Sequence, residues 1–163
     1  MPRAPSYPFR PKSTASLEPG QFWAVPTRGG YFGCGRVLQI RCSQLGKTRT
    51  LFFGGLQDWI GDAPPTSESI AGTGIARFGA MPLKSIIEVG GEILGIRPLD
   101  LDGFVLPELN SAHSLGANVL IGADIVRLAR EDEWGTRPVL QYWNYYYIER
   151  LAEELAGARS PKR

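Results

Sequence analysis

Cysteine and histidine are scarce in this chain, and the scarcity closes several routes at once. Cys34 and Cys42 are its only cysteines and His113 its only histidine among 163 residues. A structural zinc site needs about four nitrogen or sulfur ligands at close spacing, and no such cluster is present. Two cysteines make no disulfide framework, so a reducing cytoplasm is the expected compartment and the thiols are read as small apolar side chains. No apolar run approaches the ~20 residues of a membrane helix. The opening MPRAPSYPFRPKSTAS is basic and proline-rich with no apolar stretch behind it, unlike a secretory signal. No Gly-x-Ser-x-Gly elbow occurs.

Glycine and proline are plentiful instead. The chain has 20 Gly and 13 Pro, with 43% hydrophobic and 21% charged residues. Short apolar runs separated by turn formers favour a β-rich fold. The net charge of +2 conceals an uneven distribution. Both ends are basic, residues 17–50 carry five basic residues against Glu18 alone, and residues 51–156 carry seven basic against fifteen acidic residues. An acidic body disfavours nucleic acid and favours a basic partner.

Residues 1–16 show no hydrophobic period and are expected to form a disordered basic tail, with residues 158–163 as a second one. Between them, 17–157 reads as a single domain. The Pro19-Gly20 turn leads into the strand QFWAVP, TRGG turns the chain, and YFGCGRVLQIRC and TRTLFFGGL follow as strands of a β-meander. Gly33 and Gly35 share one strand face, a pattern that admits close packing or sharp coiling. The nucleotide alternative lacks the third glycine and the following helix, and LGKT at 45–48 lacks the first glycine of a phosphate loop. VLIGADIVRLAR leans towards helix in its second half. RPVLQYW reads as a strand. NYYYIERLAEELAG reads as a terminal helix with Asn144 as N-cap and Gly157 as C-cap. The expected fold is therefore α+β and β-rich: a strongly curved antiparallel sheet or small SH3-like barrel with a C-terminal helix.

No nucleophile, base and cofactor combination assembles from the sequence, and no catalytic residue, metal or cofactor is expected. Aromatic residues beside acids are the alternative signal. Trp59 stands between Asp58 and Asp62, and Trp134 follows Glu131, Asp132 and Glu133. Such anchors with flanking charge are enriched at protein interfaces, although both tryptophans also suit a core-capping role. These seven residues are the candidate partner-binding set. The aromatic run QYWNYYY is too rich for all its rings to be buried.

The stretch LEPGQFWAVPTRGGYFGCGRVL resembles the opening of the immunity protein 26 family of bacterial polymorphic-toxin systems, and GEILGIRPLDLDG has a similar look. The resemblance covers about 22 residues well. It implies a non-enzymatic, β-rich immunity protein that binds and neutralises a cognate toxin by stoichiometric occlusion. The same opening also resembles the SH3-like-barrel endoribonucleases of toxin–antitoxin pairs. There Arg36 would stand as the catalytic arginine, but Gln21 replaces the acid expected after the Pro-Gly turn.

Overall fold

The computed structural model describes residues 5–159. Eight strands and two helices form three layers. The central layer is a five-stranded sheet made of β1 (Gln21–Pro26), β2 (Phe32–Gln39), β3 (Leu51–Gly61), β4 (Ile75–Pro82) and β5 (Gly95–Ile96). Its spatial order is β4-β3-β2-β1-β5, and every pairing is antiparallel. The first three strands form the expected meander. The helical layer holds α1 (Lys84–Ile87) and α2 (Tyr147–Arg159). The third layer is a three-stranded antiparallel sheet of β6 (Glu108–Asn110), β7 (Asn118–Ile121) and β8 (Asp124–Leu128), ordered β6-β7-β8.

Strand alternation splits the core into two halves. Val37, Phe52 and Met81 face the helices, packing with Trp23, Ile86, Ile148 and Leu151. Their chain neighbours Leu38, Phe53 and Ala80 face the small sheet and pack with Leu109, Leu120 and Leu140. The central sheet is thus covered on both faces, which is why β3 is buried without a break from Phe52 to Gln57.

The expected strongly curved sheet or closed barrel is corrected by this topology. The five-stranded sheet is open, with β4 and β5 at its two edges and not paired with each other. The reason lies in the glycines. Gly33 and Gly35 admit neighbouring side chains and do not curl the strand into a barrel. A Cβ on Gly35 would collide with the Trp23 indole of the adjacent strand, and one on Gly33 would lie 3.0 Å from Ala152 of α2. The glycine face receives a buried ring and a docked helix.

Other expectations also change. The second half of VLIGADIVRLAR is β8, because a turn at Gly122 (φ +60°) folds it back on β7. Apart from isolated parallel bridges from Val139 to Asn110 and from Tyr142 to Ala80, RPVLQYW forms no strand. The terminal helix is present but starts at Tyr147, beyond Asn144, and runs through Gly157 to Arg159. Residues 5–16, expected to be loose, are tied to the body. Phe9 pairs with Ile93, the Thr14 amide donates to the Arg49 carbonyl, and the Gln21 side chain donates to the Tyr7 hydroxyl. Residues 1–4 and 160–163 lie outside the described residues. No helix among the described residues is long and apolar enough to cross a membrane.

Candidate functional site

The first predicted group sits at the far end of β3. Trp59 is half-buried over Gly61 and packs against a small cluster of Phe22, Cys34 and Ile70. Asp58 forms an ion pair with Arg159, which ties the last turn of α2 to the sheet. Asp62 is exposed. Of this group, Trp59 packs, Asp58 makes a surface ion pair and Asp62 faces solvent.

The second group lies in a 3-10 turn, Glu131–Glu133, at the end of the small sheet. Glu131 and Asp132 are exposed, whereas Glu133 turns inward. Its carboxylate accepts both terminal nitrogens of Arg127, at 2.5 and 2.7 Å, Nη1 of Arg137 at 3.1 Å and the Arg130 amide at 3.1 Å. Those donors, Arg127 first, hold the Glu133 carboxyl well below the usual carboxylate range. Trp134 is half-buried against Ala117, Val119 and Ala129, with its indole nitrogen buried and unbonded. Glu133 and Trp134 therefore anchor the turn, and the two predicted groups pack into separate clusters.

An exposed apolar strand that sequence reasoning missed is β8. The strand pairs with β7 on one side. On the other, the Ile125 amide donates to the Ser43 hydroxyl, and no strand follows among the described residues. Ile125, Val126 and Leu128 are 43%, 56% and 65% exposed. Natural edge strands are ordinarily blunted by charge, proline or covering structure. β8 also carries Asp124 and Arg127, and Asp124 accepts from the Ser43 amide and the Gln39 side chain; the three exposed apolar side chains beside them form the kind of surface that protein contacts use. The helical reading of this segment hid the signal, since a helix would have buried some of these side chains. Tyr142, Tyr145 and Tyr146 form a second exposed aromatic group beside α2, while Trp143 of the same run is buried.

A third arrangement is polar and interior. Arg36 is only 1% exposed. Its Nη1 donates to Gln57 Oε1 at 2.8 Å and its Nη2 to the Arg97 carbonyl at 2.7 Å, while Nε has no partner. Burial lowers its pKa from the ordinary arginine value. Beside it, Arg97 forms a two-pronged pair with Asp102, at 2.7 and 2.9 Å. That pair and the Gly72 amide hold the Asp102 carboxyl down at about 2. The thiols of Cys34 and Cys42 are both pushed up to about 12, chiefly by burial, which leaves them protonated and poorly nucleophilic. No group of acidic, cysteine and histidine side chains among the described residues is arranged to hold a metal ion. No family model, curated protein or solved structure matches this chain.

Proposed function

We propose that this protein neutralises a bacterial toxin by binding it stoichiometrically, as immunity proteins do, without turnover. The observation that carries the reading is the free apolar edge of β8. An exposed strand edge offers backbone hydrogen bonds, and Ile125, Val126 and Leu128 add apolar contact. The occupant is a basic toxin domain. Residues 51–156 carry fifteen acids against seven bases, and Glu131 and Asp132 stand exposed just beyond β8. That balance favours encounter with a positively charged surface, such as the cleft of a nucleic-acid-degrading toxin. Cytoplasmic residence follows from the same reading, since the toxin acts there.

The test is rescue of cells expressing the toxin domain encoded beside this chain, together with binding kinetics. Leu128→Glu puts a charge on the contact edge and should raise the dissociation rate at least tenfold, with the melting temperature nearly unchanged because Leu128 is exposed. If Leu128→Glu and Ile125→Glu both bind and protect normally, the β8 edge is not the contact.

A further inference from the structure

The loop between β2 and β3 gathers positive charge that no carboxylate meets. Residues 17–50 carry five basic residues, and three of them, Arg41, Lys47 and Arg49, line one cavity of about 780 Å³. All three side chains are exposed and unpaired among the described residues. The arginines of the acidic section behave differently: Arg97, Arg127, Arg137 and Arg159 each pair with a carboxylate. Among the described residues no acid lines the cavity. Asp124, which adds to burial in raising the Cys42 pKa, is engaged by the Ser43 amide at 2.9 Å and the Gln39 side chain at 2.7 Å. A concave surface lined by one sign of charge focuses its potential on the space in front of it.

Two further features set this cavity apart from a solvated charge run. Thr14 lines it and is only 6% exposed, yet its hydroxyl makes no hydrogen bond within the described residues. Its amide is held by the Arg49 carbonyl at 2.9 Å, and the hydroxyl oxygen is not sealed in the core, so it opens onto the cavity. Arg41 is the one described residue other than glycine with a positive φ, at 55°. Glycine would serve such a turn at least as well, and a guanidinium stands there instead.

Three cations and a free hydroxyl donor suit phosphate oxygens, which accept several charge-assisted hydrogen bonds at once. One phosphate monoester carries about −1.5 to −2 near neutral pH and leaves a cation unmatched; a second phosphate matches it. At about 30 Å³ per water-sized group, the cavity has room for roughly 26 heavy atoms, more than a bare diphosphate needs. Gly46, Lys47 and Thr48 of the LGKT stretch belong to the lining, but strand β3 follows them rather than a helix. Side chains, not a helix N-terminus, therefore supply the charge.

We propose that this cavity binds a small organic diphosphate of nucleotide size, its phosphate oxygens on Arg41, Lys47, Arg49 and the Thr14 hydroxyl. These four residues lie outside β8, so the site stands or falls independently of the toxin-binding reading.

ADP is the probe, titrated by calorimetry into the full-length protein at fixed ionic strength without divalent metal. Pyrophosphate, inorganic phosphate and a single-stranded RNA of about ten nucleotides are titrated alongside. The expected result is saturable one-to-one binding of ADP, at least about tenfold tighter than inorganic phosphate, with pyrophosphate between them. Lys47→Ala and Arg49→Ala should each weaken ADP binding by about tenfold, the loss of a charge-assisted contact. Thr14→Val should weaken it by about fivefold and leave the melting temperature unchanged, because the hydroxyl supports nothing within the protein. Arg41→Gly should lose affinity while melting close to the parent. Leu128→Glu should bind ADP as the parent does, which separates this site from the β8 contact. No saturable ADP binding in the parent protein would overturn the proposal, as would equal affinity for inorganic phosphate and ADP. Unaltered binding in both Thr14→Val and Lys47→Ala would also overturn it. So would RNA binding more tightly than ADP, which would put a nucleic-acid strand on this surface instead.

Discussion

The five-stranded and three-stranded sheets solve opposite problems with the same kind of strand. In the larger sheet β3 is covered by helices on one face and by the small sheet on the other, and its residues 52–57 are all buried. In the smaller sheet β8 exposes every residue from Ile125 to Leu128. The larger sheet is held by ring-to-glycine contacts, where Trp23 lies on Gly35 and Trp143 on Gly79. The smaller sheet is held at its margin by charge, through Glu133 and its arginines. One half of the molecule is built for rigidity, and the other keeps apolar surface available at its edge. Experiments that attack each half should therefore differ in size and in pH dependence.

The largest effect belongs to the ring-to-glycine contact. Gly35→Val drives two methyl groups and a Cβ into the fully buried Trp23 indole, which has no room to retreat. The expected loss is about 1–3 kcal/mol or more, the range for overpacking a close-packed core. A thermal melt indistinguishable from the parent would mean that the sheet can relax there, and the contrast in rigidity would fall.

Next comes the charge hub. The folded-state pKa of Glu133 lies below its ordinary value of 4.5, so the folded state favours the carboxylate. The resulting stability is complete above about pH 4.5 and is lost as the pH falls below it. Asp102 behaves likewise over a narrower window inside that one, from 3.8 down to about 2. Glu133→Gln should lower the melting temperature at neutral pH and weaken its dependence on pH from 4.5 downward, leaving the Asp102 share between 3.8 and about 2. An unchanged pH profile in that variant would show that the hub contributes nothing to the small sheet.

These two devices were unequally legible in the sequence. The meander from Gln21 to Gly61 was readable because its alternation and its Gly-Gly and Pro-Gly turns are local signals. The Gly33 and Gly35 face was readable as a packing device, but its partners were not, because Trp23 and Ala152 reach it through tertiary structure. The β7–β8 hairpin was obscured by Ile121, Ile125, Leu128 and Ala129, whose spacing also fits a helix; Gly122 at positive φ decides for the turn. In the sequence Glu133 stands only as one of three consecutive acids before Trp134. Its burial depends on Arg127 and Arg137, which the small sheet brings alongside it. The polar network of Arg36, Gln57, Arg97 and Asp102 joins separate segments, so no window of sequence contains it.

The smallest effect separates the remaining acids of that turn from their buried neighbour. Glu131 and Asp132 are exposed, and the nearest ion pair, from Arg130 to Asp132 at 3.3 Å, joins two well-exposed side chains. Exposed pairs of this kind contribute little to stability. Replacing both with Gln and Asn should change stability by less than about 0.5 kcal/mol, in contrast to Glu133→Gln one position away. On the proposed reading their contribution is to encounter with a basic partner. The double variant should slow association with the toxin domain at low salt and match the parent at high salt, because exposed charges are screened within about 10 Å at 0.1 M ionic strength. If the proposed β8 contact holds the complex, dissociation should be unaffected. A faster dissociation rate in the double variant would place these acids inside the contact and move its centre from the strand edge to the turn.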